Sequence, residues 1–181
     1  VQVQSIWVWN AVGRPLVSSR VYPVPPELDI SGREYFRMLQ ERRGGWLLSD
    51  PLVGAGDDTP FIDISVRRDL PDGSFGGVVS STLPPEYFVD FYRRLIAAEP
   101  GLSITMFREG GTIVARWPAP PSSVFRVNPN GLVMRAIAEG RSSGTVEGES
   151  SLDGMRRLAV FSKMGRYPVY VVAAVDQNAW R

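Results

Sequence analysis

Apolar and polar residues alternate early in residues 1–9, a run rich in β-branched and aromatic side chains, which predicts a strand. Gly13-Arg14-Pro15 turns the chain, and residues 16–19 return as the hairpin partner. Pro23-Val24-Pro25-Pro26 is extended and cannot continue a ladder. Ser31-Gly32-Arg33-Glu34 has the form of a capping box, in which Ser31 accepts from the Glu34 amide while Glu34 reaches back. It is expected to open a helix with Tyr35, Phe36 and Leu39 on one face, closed by Gly44-Gly45. Residues 46–48 and 51–53 read as short extended pieces. Residues 61–67 alternate cleanly, a strand with Asp63, Ser65 and Arg67 on its polar side. Pro71-Asp72-Gly73 is a turn, and residues 75–83 form the next strand. Pro84-Pro85-Glu86 starts a helix whose apolar Tyr87, Phe88, Phe91, Tyr92, Leu95 and Ile96 recur at helical spacing, stopped by Pro100-Gly101.

The second half replays this order. Residues 102–108, Gly110-Gly111 and residues 112–117 predict another strand hairpin, and residues 118–121 another proline-rich exit. Asn130 is placed to cap a short helix through Ala138, ended by Gly140. Residues 144–149, 155–163 and 167–176 read as three further strands. Gly13-Arg14-Pro15-Leu16-Val17 lines up with Gly111-Thr112-Ile113-Val114-Ala115, and Gly73-Ser74-Phe75 with Gly165-Arg166-Tyr167. The expectation is an α+β chain of two tandem units, residues 1–100 and 101–181. Each is a mostly antiparallel sheet of about five strands flanked by helices.

Composition narrows the chemistry. The chain has 181 residues, 44% hydrophobic and 22% charged, which is globular. A net charge of +1 builds no field for a polyanion. There is no histidine, hence no imidazole base, metal ligand or haem ligand. There is no cysteine, hence no thiolate nucleophile, disulfide or tethered cofactor. Lys163 is the only lysine among 20 basic residues. The pairs Arg42-Arg43, Arg67-Arg68, Arg93-Arg94 and Arg156-Arg157 sit on separate elements without a stacking motif, so no nucleic acid is expected. Asp57-Asp58 lies in a glycine loop but lacks the spaced carboxylates of a Ca²⁺ ladder. Ser162-Lys163 is not a Ser-x-x-Lys dyad. No catalytic residue, metal or cofactor is therefore expected. No run approaches the length of a bilayer span, and a chain opening in a strand reads as a segment of a longer protein.

The ordered set Gly-x-x-Leu-Val-Ser-Ser (13–19), Gly-Arg-Glu-Tyr-Phe (32–36), Asp-Gly-Ser-Phe-Gly-Gly-Val-Val (72–79) and Pro-Glu-Tyr-Phe (85–88) resembles the membrane-distal half of a double Cache (tandem PAS-like) sensor domain. Gly-Gly-Thr-Ile-Val-Ala-Arg-Trp-Pro (110–118), Leu-Asp-Gly-Met-Arg-Arg-Leu (152–158) and Tyr-Pro-Val-Tyr-Val-Val (167–172) resemble the membrane-proximal half. The resemblance implies a periplasmic ligand-sensing domain of a bacterial inner-membrane receptor, set between two membrane helices outside this stretch. It implies a homodimeric receptor whose output is a two-component histidine kinase, with a diguanylate cyclase or chemoreceptor as the alternative. Any transferase activity then lies elsewhere in the protein. The competing reading is a dimerisation module without a ligand.

The same resemblance places a small-molecule ligand in the distal lobe. Arg33-Glu34-Tyr35-Phe36 matches the Arg-x-aromatic-aromatic motif of amino-acid-binding relatives, where a planar guanidinium suits a carboxylate and the aromatic residues wall the pocket. Those relatives grip the ligand ammonium with two aspartates. Here Leu52-Val53-Gly54 stands at one of those places and Thr82 at the other, so the resemblance implies an organic acid or a neutral ligand. Trp46 either lines a pocket or plugs the core. Asp63, Ser65 and Arg67 share a face that meets either a cavity or water, with water the simpler expectation. Ser80 and Thr82 are small hydroxyls on a central strand, which leaves room for a ligand.

Overall fold

The computed structural model describes residues 3–54, 60–119 and 125–179. Asp57-Asp58 and the end of the second proline-rich exit lie outside the described residues. The first half holds β1 (Ser5–Trp9), β2 (Pro15–Ser18), α1 (Glu34–Glu41), β3 (Trp46–Leu48), β4 (Leu52–Val53), β5 (Pro60–Asp69) and β6 (Phe75–Leu83). Next come α2 (Pro85–Leu95), β7 (Leu102–Arg108), β8 (Ile113–Trp117), α3 (Leu132–Ala138), β9 (Ser143–Glu149), β10 (Arg156–Lys163) and β11 (Val169–Asp176). The chain divides into two units, Val1–Tyr87 and Phe88–Arg181. Each holds one sheet, in the order β2-β1-β6-β5-β3 with β4 also on β5, and β8-β7-β11-β10-β9. Every pairing among these strands is antiparallel.

The internal repeat extends to individual hydrogen bonds. In the first hairpin Asn10 N donates to Arg14 O (2.8 Å), Gly13 N to Asn10 O (3.0 Å) and Ile30 N to Gly13 O (3.0 Å). In the second, Arg108 N donates to Thr112 O (2.8 Å), Gly111 N to Arg108 O (2.6 Å) and Val127 N to Gly111 O (2.8 Å). Gly13 and Gly111 both have φ near +90° (82° and 91°), which L side chains resist. In both lobes the hairpin turn thus anchors the segment that leads into the helix.

The first core gathers Trp9, Ile30, Tyr35, Phe36, Leu39 and Val78. Phe36 meets Phe75 edge-on at 5.4 Å. The second gathers Phe107, Phe161, Tyr170 and Val172 under Ala136 of α3.

Two expected caps are not formed. Asp29 Oδ1 accepts the Ser31 amide at 2.7 Å, making a local turn that commits Ser31 before the helix begins. Arg33 becomes the N-cap residue, with no side-chain cap. At α3 the N-cap is Gly131 rather than Asn130, because Asn128 Oδ1 accepts the Asn130 amide at 2.9 Å. The other end of α1 is held from the sheet. Arg67 Nη1 donates to Leu39 O (2.8 Å) and Gln40 O (2.6 Å), satisfying carbonyls the helix leaves open.

β1 and β6 approach closely at Gly77, where a Cβ would lie 1.9 Å from Trp9 O and φ is +120°. Gly77→Ala is therefore expected to cost at least about 2 kcal/mol of unfolding free energy, read from urea melts. A loss under about 0.5 kcal/mol, the range of a neutral surface change, would show that this approach does not hold the two strands together.

Candidate functional site

The pleat of the first sheet puts its polar residues in rows. Ser5 on β1 pairs with Thr82 on β6, which pairs with Asp63 on β5; in the next row Trp7, Ser80 and Ser65 stand side by side. Alternation places all six side chains on one face. That face is the buried one: Ser65 and Ser80 are almost completely covered, and Asp63 is 3% exposed. The opposite face carries Ile6 and Val66, both exposed. The expectation that Asp63, Ser65 and Arg67 meet water is corrected here. Half of a two-faced strand must be inward, and alternation does not say which half.

The rows are tied together by hydroxyl groups. Ser5 Oγ and Thr82 Oγ1 lie 2.6 Å apart, Trp7 Nε1 donates to Ser5 Oγ (2.9 Å), and Trp9 Nε1 donates to Ser80 Oγ (3.0 Å). Trp7 and Trp9 stack at 5.3 Å. Ser65 Oγ donates to Asp63 Oδ1 at 2.6 Å, and the Asp63 amide donates to Ser49 Oγ at 2.8 Å.

These residues form one wall of a cavity of about 880 Å³ lined by Ser5, Trp7, Trp9, Arg33, Tyr35, Asp63, Ser80 and Thr82, with Gln4, Arg20, Asp29 and Phe61 among the remainder. Its volume suits a small organic ligand. Of the residues singled out from sequence, Arg33, Tyr35, Asp63, Ser80 and Thr82 meet here. Phe36 does not, because it faces the core beneath α1. Ser65 lies behind Asp63 and orients it. Trp46 pairs with Val66 and so belongs to the opposite face of the sheet from Ser65. Trp7, Trp9 and Ser5 went unrecognised. Their indole and hydroxyl partners lie on strands more than 70 residues away, or two positions along β1, and only the fold reveals them.

Asp63 has no ion-pair partner among the described residues. Burial pushes its carboxyl up from 3.8 to about 6, opposed by hydrogen bonds from Ser65 and Ser80 and by the charge of Arg33. Burial, and then the Asp63 charge, push the Tyr35 phenol well above its ordinary range. Arg33 donates Nη2 to Val53 O at 3.1 Å, which leaves the rest of its fork uncommitted among the described residues. Asp29 at the rim is already paired with Arg14 at 3.3 Å. The cavity is thus lined by a cationic group and a carboxylate that form no ion pair with each other among the described residues.

Residues 85–174 match the family model of the dCache_1-like histidine kinase sensor domain. The extracellular domain of rpHK1S-Z16, described as a histidine kinase, superimposes with a TM-score of 0.86 at 27% identity, covering 99% of this chain and 73% of that one. The chain is a double Cache sensor domain. Chemoreceptor domains share the Cache fold at lower identity. The ligand-binding domain of Pseudomonas aeruginosa PctC, solved with GABA, matches at TM-score 0.61 and 18% identity over 97% of this chain and 75% of that one. That of Pseudomonas fluorescens CtaA, solved with L-serine, matches at 0.64 and 16% over 97% and 74%. No curated protein sequence matches the chain. This Cache domain is an extracellular ligand-sensing module. Among the described residues no helix is long and apolar enough to cross a membrane.

Folding raises the Asp63 pKa, so the folded state binds a proton more tightly than the unfolded one. Its contribution to stability is therefore present below about pH 4 and is lost as pH rises to about 6. The full difference is about 3 kcal/mol. Asp63→Asn keeps an acceptor for Ser65 and carries no charge. Relative to the parent, it is expected to gain stability progressively between pH 4 and 6 and to hold that gain at pH 8, in urea melts at each pH. An increment independent of pH would show that Asp63 is not buried as a charge.

Proposed function

We propose that this domain is the input module of a homodimeric transmembrane histidine kinase, and that its first lobe binds a small zwitterion of the amino-acid class. The observation that carries this reading is the buried Asp63, which has no ion-pair partner among the described residues and lines the same cavity as Arg33. Arg33 takes the ligand carboxylate through its planar fork. Asp63, steadied by Ser65, takes the ammonium. Trp7, Trp9 and Tyr35 flank the ligand, while Ser80 and Thr82 leave it room. Asp63 stands directly across from Thr82. An acid on the neighbouring strand therefore supplies the charge that the residue-by-residue resemblance finds missing at Thr82. The amino-acid and GABA complexes of the chemoreceptor domains are consistent with this ligand class.

Titration of the domain with GABA, L-alanine and L-serine tests it. A bound amino acid at a hundredfold excess over its Kd is expected to raise the melting temperature by roughly 5–10 °C. Arg33→Ala is expected to weaken binding roughly tenfold or more. Asp63→Asn removes the response to amino acids while the domain stays folded. Affinity rises as pH passes about 6, because the ammonium requires ionised Asp63. An amino-acid response that survives both substitutions would remove these residues from the site.

A further inference from the structure

The second lobe carries a smaller cavity, of about 70 Å³. It opens on the corresponding face of the corresponding sheet. Ser103 on β7 pairs with Ala174 on β11, which pairs with Ala159 on β10. Counted from the matching hairpin glycines, Ser103 occupies the place of Ser5, Ala174 that of Thr82 and Ala159 that of Asp63. The acid of the first lobe is replaced by a methyl group. Val127, Val133, Val146 and Val172 complete an apolar chamber large enough for several carbon atoms.

One wall is cationic. Arg116 lines the cavity with its side chain 6% exposed, and Arg157 joins it at 10%. Both bind a single carboxylate, that of Asp153: Arg116 through Nη2 at 2.8 Å, and Arg157 bidentately through Nη2 at 2.9 Å and Nε at 3.2 Å. Arg116 Nη1 also donates to Thr105 Oγ1, and Arg157 Nη1 to Gly101 O at 2.9 Å. Arg116 Nε is buried without a partner among the described residues. Two guanidinium groups against one carboxylate leave a net positive charge held out of water, which an uncharged packing role does not call for. Glu149, at the rim, is exposed and solvated.

We infer that the second lobe is a separate binding site for a short-chain aliphatic monocarboxylate, whose carboxylate is held by Arg116 and Arg157 and whose alkyl tail fills the chamber against Ala159 and Ala174. The absence of any acid equivalent to Asp63 disfavours amino acids there. This inference stands independently of the zwitterion reading of the first lobe.

The test is heteronuclear NMR titration of the domain in phosphate buffer with formate, acetate, propionate and sodium chloride. Shifts are expected in residues of the second lobe, with affinity rising roughly fourfold for each added carbon and chloride binding weaker than acetate. Binding is expected to survive Arg33→Ala, which separates this site from the first cavity. It is expected to fall roughly tenfold or more in Arg116→Gln. Ala159→Val leaves both arginines in place and fills the chamber, and is expected to exclude propionate more strongly than formate. Absence of second-lobe shifts, equal binding of chloride and propionate, or propionate binding unchanged in both Arg116→Gln and Ala159→Val overturns the inference.

Discussion

A carboxylate held out of water with hydroxyls rather than a cation as its partners organises the first lobe. Asp63 is 3% exposed, and hydrogen bonds from Ser65 and Ser80 moderate its charge, with a smaller contribution from the charge of Arg33. A fold gains nothing by burying an acid this way, since a packed aliphatic residue would serve the sheet better. The rest of the lobe is arranged around keeping it there. Ser65 orients it from behind and Ser49 holds its backbone. Arg67, one row further along β5, clamps the end of α1 whose other end presents Arg33. The sheet and the helix are thereby locked into one frame, with Arg33 and Asp63 lining the same cavity.

That arrangement explains an inversion in the sheet. Strand β5 exposes Val66 while it buries Asp63 and Ser65, and β1 exposes Ile6 while Ser5 is covered. Small hydroxyls and indole N–H groups can be buried because they satisfy one another across strands, Ser5 with Thr82 and Trp9 with Ser80. The same small side chains, Ser5, Ser80 and Thr82, leave space beside Arg33 and Tyr35. The resulting space is the cavity.

Element order was legible in the sequence because it is written locally. Glycine turns, proline exits and apolar periodicity marked the strands and helices, and the repeat of Gly13 at Gly111 exposed the duplication. Orientation was not local. The alternation of residues 61–67 shows two faces without naming the inner one. Pairing of Asp63 with Thr82 and then Ser5 depends on chain segments far apart in sequence. The Ser31 cap failed for a reason the sequence did contain, since Asp29 two residues earlier competes for the same amide. The motif around Arg33 is local and could be read from the sequence, whereas the placing of Arg33 and Asp63 on one cavity depends on the strand pairing.

A sensor must bind its ligand more tightly in one state than in the other. Asp63 supplies a physical source for that difference. Ionised at neutral pH and without an ion-pair partner among the described residues, it holds the empty lobe about 3 kcal/mol above a neutral equivalent. An ammonium group placed beside it removes much of that cost. Relief of this size corresponds to about a hundredfold bias between empty and occupied conformations, if only one of them brings Asp63 and the ligand together. The second lobe holds the complementary imbalance, two guanidinium groups on one carboxylate. Duplication of one half-sheet unit has thus left two chambers on equivalent faces. The exchange of Asp63 for Ala159 removes that carboxylate from the second chamber, and the exchange of Ser18 in β2 for Arg116 in β8 adds a guanidinium to its wall.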